Sequence, residues 1–294
     1  MEVMSKSKSV SYSQFNMYRS CPRQWKLTYI DKVAQRLPSI YTVFGTAIHE
    51  CIQEYLDVMY SSSIKEANKL GLHIMLKEKM TAEYSREYKK LGSHFSTPSE
   101  LAEFYQDGIN ILEYFVKKRG GYFSKRNCEL LGIEKPINIV SEVNENVRIK
   151  GFIDLVMREG DRIKIYDIKT SSWGWKPNKK KQEGDQLRIY KKYFAKQYGY
   201  DESKIDIEYF IVKRKLYENS DFPQRRIQIH RPPHGKPSMN KTSKVLDTFI
   251  SEVFNADGSY NVDRDYPALK TGCTYCPFKN DNEMCPSKIR QWKN

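Results

Sequence analysis

Two β-rich runs joined by a tight turn constrain this chain more than any other feature. One contains Gly151-Phe152-Ile153-Asp154, the other Tyr166-Asp167-Ile168-Lys169, and Glu159-Gly160-Asp161-Arg162 lies between them. A Gly-Asp turn between such runs predicts a β-hairpin. With Gly160-Asp161 as its loop, Asp154 falls directly across from Asp167. Side chains alternate along a strand, so Asp167 and Lys169 share a face, which also carries Phe152, Val156, Ile163 and Ile165. Two carboxylates and an ammonium then converge on an apolar surface. Like charges opposite one another destabilise a sheet, and buried charge is costly unless paired or metal-bound. Two arrangements resolve the conflict. Either a divalent metal is held by both aspartates with Lys169 beside it, or Lys169 bridges them in a structural ion cluster.

The 294 residues suffice for one large domain or two small ones. Lys plus Arg number 50 against 36 for Asp plus Glu, a net charge of +14. That excess points to a polyanionic partner, most simply nucleic acid, with solubility or an anionic membrane surface as the other sources. No apolar stretch approaches the roughly 20 residues of a membrane span. Met1 to Lys6 lack the apolar centre of a secretory signal. The expectation is an intracellular, cytoplasmic protein with no membrane partner. The cysteines stand at 21, 51, 128, 273, 276 and 285, too unevenly for a disulfide scaffold, and clustering in a reducing compartment points to metal.

Helical patterning runs from Ser11 through Tyr29 with a break at Cys21-Pro22, and recurs at Phe44, Ile48, Ile52, Tyr55, Leu56 and Met59. Further helices are expected over 65–91, 98–119, 183–198 and 242–254, and strands over 130–140 and 205–213, with a Pro/Gly-rich loop at 230–241. This order predicts an α/β fold, a central mixed β-sheet flanked by helices.

Gly45-Thr46-Ala47-Ile48-His49 precedes the hairpin and Gln186-Leu187-Arg188-Ile189-Tyr190 follows it. In chain order these give a G-x-x-x-H helix, a G-x-x-D strand, a D-x-K strand and a Q-x-x-x-Y helix. With that ordered set the chain resembles the RecB-like branch of the PD-(D/E)XK nuclease superfamily. The resemblance implies a restriction-endonuclease-like core over 44–229 with a helical insertion at about 61–120, an N-terminal helical segment at 1–43, and a C-terminal helix and cysteine tail at 230–294. It implies Mg²⁺ or Mn²⁺ held by His49, Asp154, Asp167 and the backbone carbonyl of Ile168, with Lys169 acting on the attacking water. It adds Glu134 as a further catalytic acid, with Glu129 and Glu142 competing for that place. Gln186 and Tyr190 are implied to pack beside the site and touch the DNA backbone.

Cys273-Thr274-Tyr275-Cys276 and Cys285 form C-x-x-C-x₈-C. The spacing is open between zinc and iron–sulfur. The resemblance extends to the iron–sulfur branch, similar to AddB-type and CRISPR-associated adaptation exonucleases. It implies that Cys21 joins Cys273, Cys276 and Cys285 around a [4Fe-4S] cluster that staples the N- and C-terminal regions, Zn²⁺ being the alternative. Cys51 and Cys128 read as apolar fillers.

After Lys169 come Trp173, Trp175, Lys176, Lys179, Lys180 and Lys181, aromatic and cationic groups of the kind that stack bases and hold phosphates. Arg214, Lys215, Arg225 and Arg226 form a second basic group, and Arg19, Arg23 and Lys26 a third. The expected function is a metal-dependent DNA nuclease, an exonuclease on single strands or duplex ends in recombination, repair or processing. A non-catalytic nucleic-acid-binding subunit and a zinc-stabilised endonuclease are the alternatives. No G-x-x-x-x-G-K-[ST] signature is present, so unwinding would fall to a helicase or recombination partner.

Overall fold

The computed structural model describes residues 8–33, 37–123, 126–176, 184–218 and 222–291. Its strands are β1 (Lys8–Val10), β2 (Cys128–Val140), β3 (Val147–Glu159), β4 (Arg162–Ser171), β5 (Ile205–Lys213) and β6 (Ile227–His230). Its α-helices are α1 (Tyr12–Ser20), α2 (Pro22–Tyr29), α3 (Ile40–Ser61), α4 (Ile64–Ala67), α5 (Leu72–Leu91), α6 (Pro98–Lys118), α7 (Asp185–Tyr198) and α8 (Lys236–Val253). The strands make one mixed sheet in the order β1-β3-β4-β5-β6, with β2 also paired to β3. Helices flank it, as the element order predicts.

The hairpin has the expected register. Pairing runs from Leu155 with Tyr166 to Glu159 with Arg162, leaving Gly160-Asp161 as the loop. Gly160 sits at φ +62°, a conformation open to glycine at little cost. From β4 the chain passes through α7 to a parallel β5, the crossover that a parallel pair requires.

Each face of the sheet buries its own core. On one face Ile149, Ile153, Val156, Ile163 and Ile165 pack with Leu187, Tyr193 and Phe194 of α7, Phe249 of α8, and Phe15 and Trp25 of α1 and α2. On the other, Leu155, Tyr166, Ile168 and Phe210 meet Phe44, Ile48 and Ile52 of α3 and Phe115 of α6. Capping boxes open α3 at Ser39 and α6 at Thr97, each pairing side chain and backbone across the first turn. No helix among the described residues is long and apolar enough to cross a membrane.

Several expectations need correction. The pattern over 65–91 breaks into α4 and α5, with Gly71 as the N-cap of the second. The loop expected at 230–241 ends at Gly235, where α8 begins. Pro237 sits in its first turn, where a missing N–H costs nothing. Strands β1 and β6 were not anticipated, being too short to show a period. Phe152, expected on the apolar face, is 59% exposed. Ile153 takes its place in the core, because the alternation of β3 slips between Ile153 and Leu155, at Asp154.

Candidate active site

The slip at Asp154 comes from how β3 is paired. Strand β2 runs along one edge of β3 from Arg148 to Glu159, so β1 and β4 must share the other edge. There β1 pairs only with Val147–Ile149 and β4 only with Leu155–Glu159. The stretch 150–154 between them has no strand partner on that edge among the described residues. Asp154 is therefore not backbone-paired with Asp167. Its Oδ2 instead accepts the N–H of Ile168 at 2.6 Å. In an extended strand a residue's N–H and C=O point the same way, so the Ile168 carbonyl also faces this gap.

On β2, opposite the slip, Glu134 sits at φ +47°, a left-handed conformation rare outside glycine. Gln53 of α3, buried on an apolar helix face, donates through Nε2 to Glu134 Oε1 at 2.7 Å and to the Asp154 carbonyl at 3.1 Å. One turn earlier on α3, His49 Nε2 lies 2.9 Å from Asp154 Oδ2. His49, Glu134 and Asp154 thus bring three ligand atoms within 4.8 Å of one another. Helix α3 comes this close because Gly45 faces Thr170 of β4. A Cβ added at Gly45 would stand 3.1 Å from Thr170 Oγ1.

From the α7 side of the sheet, Asp167 is 1% exposed. Its Oδ2 lies 2.7 Å from Lys169 Nζ, and its Oδ1 has no hydrogen-bond partner. Burial pushes the Asp167 carboxyl up to about 7, Lys169 opposing and Asp154 adding to the shift. For Lys169, burial pulls the ammonium down, but Asp167 and Asp154 outweigh it and the net direction is up. At His49, too, burial is outweighed, by the bond to Asp154 and the nearby carboxylates, and the imidazole is raised. All three groups hold their protons more tightly, Asp167 because it is buried, Lys169 and His49 because the nearby carboxylates outweigh their burial.

Tyr190 covers the same gap. Its ring packs on Gly151, where an added Cβ would stand 2.8 Å from Tyr190 Cε1. The two motif residues therefore explain each other: the glycine makes room for the tyrosine. Gln186 Nε2 donates to the Tyr190 hydroxyl at 3.3 Å, and burial raises the phenol. At the start of α7, Asp185 binds Arg19 of α1, Arg188 and the Thr242 hydroxyl. Tyr12, pushed up to about 12 by burial and by Asp185, also senses Lys169 and Asp167.

Gln53 and Tyr12 escape the sequence reading. The only signal for Gln53 is its place four residues after His49, a polar side chain within an apolar stripe.

The donor set suits a hard divalent cation. Carboxylate oxygens, a backbone carbonyl and one imidazole favour Mg²⁺ or Mn²⁺ over softer metals. The buried Asp167 Oδ1 is left without a hydrogen-bond partner, a condition that a nearby cation would relieve.

Cys21 and the three tail cysteines lie near enough to influence one another electrostatically. Cys21 and Cys285 are buried together with Ala268, and the Leu269 N–H points at Cys21 Sγ at 3.4 Å. Burial raises the Cys273 and Cys276 thiols, and Cys21 and Cys285 add to both shifts. Gly272 presses on Cys21 so closely that an added Cβ would lie 2.5 Å from the cysteine Cβ. Thr271 Oγ1 donates to the Ser20 carbonyl at 2.7 Å, and Arg23 Nε to the Met284 carbonyl at 2.7 Å. Cys51 lies apart in α3, buried, and Cys128 apart at the start of β2, partly buried.

Of the basic groups, Arg214 and Lys215 are engaged in ion pairs with Glu103 and Asp107 and are not free for phosphate. Trp173 and Trp175 part company, the first outward and the second against Tyr209 and His230. Lys176 is exposed. Lys179, Lys180 and Lys181 lie outside the described residues.

Residues 9–282 match the family model of the PD-(D/E)XK nuclease superfamily. The chain belongs to that superfamily of hydrolytic nucleases, whose members use divalent metals. It is also similar to the Gene 69 protein of Mycobacterium phage L5, 24% identical over 261 residues, covering 74% of this chain and 83% of the relative. The Gene 69 protein of Mycobacterium phage D29 is 26% identical over 214 residues, covering 70% of this chain and 75% of that protein.

Proposed function

We propose that this protein is a Mg²⁺- or Mn²⁺-dependent deoxyribonuclease, an exonuclease acting on DNA ends or single strands in recombination, repair or processing. The observation that carries the reading is the grouping of His49, Glu134 and Asp154 within ligand distance of one another, with the buried Asp167–Lys169 pair close enough for Asp154 and His49 to shift Asp167. His49, Glu134, Asp154, Asp167 and the Ile168 carbonyl are the proposed metal donors. The bound ion supplies charge neutralisation for the phosphate and a more acidic water. Lys169, held by Asp167, donates to the attacking water and to a phosphate oxygen as negative charge builds there. Gln53 positions Glu134 and the Asp154 backbone. Tyr190 and Gln186 cover the site from α7 and meet the DNA backbone.

Cys21, Cys273, Cys276 and Cys285 are proposed to hold a [4Fe-4S] cluster, for which four thiolates suffice. Zn²⁺ is the alternative occupant of the same donors. A helicase or recombination partner would supply single strands.

The test is incubation of the purified protein with end-labelled linear and closed circular DNA, single- and double-stranded, with and without Mg²⁺. Metal-dependent release of labelled ends from linear DNA alone supports the reading. Cleavage of closed circles instead establishes an endonuclease, and no cleavage at all leaves a binding subunit. His49→Ala should retain most activity at saturating metal and lose about tenfold at limiting metal, one missing donor being overcome by mass action. Equal activity of this variant at every metal concentration would remove His49 from the donor set. Gly151→Ala forces a methyl against the Tyr190 ring, an overpacking expected to cost about 1–3 kcal/mol of stability. It should slow cleavage as well, and thermal unfolding beside a rate measurement reads both effects. An unchanged melting temperature and rate would show that Tyr190 has room to move.

A further inference from the structure

Trp173 and Trp175 share a strand parity, yet Gly174 between them sits at φ +85° and turns the chain. Trp175 is drawn inward by Gln228, which accepts its N–H at 2.8 Å and donates to its carbonyl at 3.0 Å. Gly174 is fixed by Ser171, whose Oγ accepts the glycine N–H at 3.0 Å. Trp173 is thereby presented outward, 50% exposed, and stacks on Tyr217, 63% exposed, with ring centroids 4.9 Å apart.

Tyr217 is held just as firmly. Its N–H donates to Gln224 Oε1 at 2.8 Å, and Gln224 Nε2 returns a bond to its carbonyl. The β4–β5 pairing continues into this region through Arg214 and Lys215 N–H groups donating to Ser171 and Ser172. An aromatic pair facing water satisfies no core. Beside it opens a cavity of about 500 Å³ whose lining includes Tyr122, Lys213, Arg225 and Ile227. Arg214 and Lys215 are neutralised by carboxylates, but among the described residues neither Lys213 nor Arg225 is paired with one.

We infer that the Trp173–Tyr217 pair and the adjoining cavity bind an unstacked base and its phosphate from a single-stranded segment of DNA. The inference rests on the nuclease reading above and deepens it. Aromatic faces beside cations are the composition of single-strand platforms, and among the described residues both rings of the pair keep half or more of their surface exposed to a base. A base inside a duplex has both faces occupied by its neighbours and cannot use it. Trp173 follows Lys169 by four residues, at most about 14 Å of chain, so the platform serves nucleotides flanking the scissile phosphate. Arg225 and Lys213 supply the phosphate contacts, which carry the salt dependence.

The experiment measures fluorescence anisotropy of labelled oligothymidine and of a labelled blunt duplex on the full-length protein, without added divalent metal. Trp173→Ala is expected to weaken oligothymidine binding about tenfold or more, stacking being lost. Trp173→Phe should restore most of the affinity, and duplex binding should barely change. Tyr217→Ala should reproduce the loss more weakly, and circular dichroism confirms that these exposed substitutions leave the fold intact. Unchanged oligothymidine affinity in Trp173→Ala overturns the inference, as does an equal loss on duplex and single strand. Because no cleavage is read, the two proposals fail separately. A protein that binds single strands through Trp173 but never cuts them keeps the platform and loses the nuclease. One that cuts normally and binds independently of Trp173 does the reverse.

Discussion

Asp167→Asn is expected to abolish cleavage while leaving the metal-free protein at least as stable as the original. The two effects have one cause. Asp167 is nearly inaccessible to water, its Oδ1 lacks a hydrogen-bond partner, and burial pushes its carboxyl up to about 7. A carboxyl raised in this way stabilises the fold while protonated, below its unfolded value, and loses that contribution as pH rises through about 7. His49, also raised, acts in the same direction. The metal-free protein should therefore melt lower as pH climbs through neutrality, and Asp167→Asn should flatten that dependence. Divalent metal should raise the melting temperature of the original protein most at the higher pH and do little for the variant.

Activity moves the opposite way. Losing a proposed metal ligand, worth several kcal/mol of charge stabilisation, should cost about a thousandfold or more in rate. Asp154→Asn and Lys169→Ala should fall comparably, with DNA binding largely kept. A purely structural ion cluster, with Lys169 bridging two aspartates, predicts the reverse: Asp167→Asn would lower stability and spare the rate. Melting curves with and without Mg²⁺, set beside single-turnover cleavage rates, separate the two.

How much of this was legible from residues alone differs from part to part for physical reasons. The hairpin register was readable because Gly160-Asp161 admits few turn geometries and the flanking runs alternate. The two sheet faces followed from that register as far as Val156, but not beyond. The slip that exposes Phe152 depends on β1 and β4 sharing one edge of β3, a tertiary fact with no local signature. Glu134 was only one of three acidic residues competing for its place, because its φ of +47° and its bond to Gln53 belong to the assembled sheet. Glycine told more than its size suggests. Gly45 and Gly151 were visible as motif letters, and each proves to mark a close approach, of Thr170 and Tyr190 respectively. Gly272 does the same for Cys21 without a motif to announce it. Basic residues were the least legible. Their neutralisation at Arg214 and Lys215 depends on α6 packing nearby with Glu103 and Asp107, whereas their sequence context suggests only a solvated run.

Cys21→Ser is expected to lower bound metal and melting temperature together, and the size of the second effect follows from topology. Cys21 sits between α1 and α2, and its three proposed partners lie at the far end of the chain. A centre binding all four closes a very long loop, and in the chain-entropy account longer loops constrain the unfolded state more. A contribution of about 4 kcal/mol corresponds to a drop of roughly 6–7 °C for a chain of this size. Protein contacts also join these regions, Trp25 and Tyr18 packing on Phe249 and Tyr266 and the Arg23 N–H donating to the Pro267 carbonyl, so Cys21→Ser should lower the melting temperature without unfolding the chain. Cys273→Ser, Cys276→Ser and Cys285→Ser should match Cys21→Ser in both readouts. Cys51→Ser and Cys128→Ser, whose thiols lie elsewhere, should keep full metal. Elemental analysis decides between the occupants: iron with acid-labile sulfide and a brown colour for the cluster, zinc without colour for the alternative. Consequences for the nuclease site run through α1, because Arg19, two residues before Cys21, grips Asp185 at the start of the helix that carries Gln186 and Tyr190. Loss of the centre should therefore slow cleavage by loosening α7 while leaving divalent-metal affinity at Asp154 and Asp167 nearly unchanged. Full metal occupancy in Cys21→Ser would confine the centre to the C-terminal cysteines and remove both the staple and its link to α7.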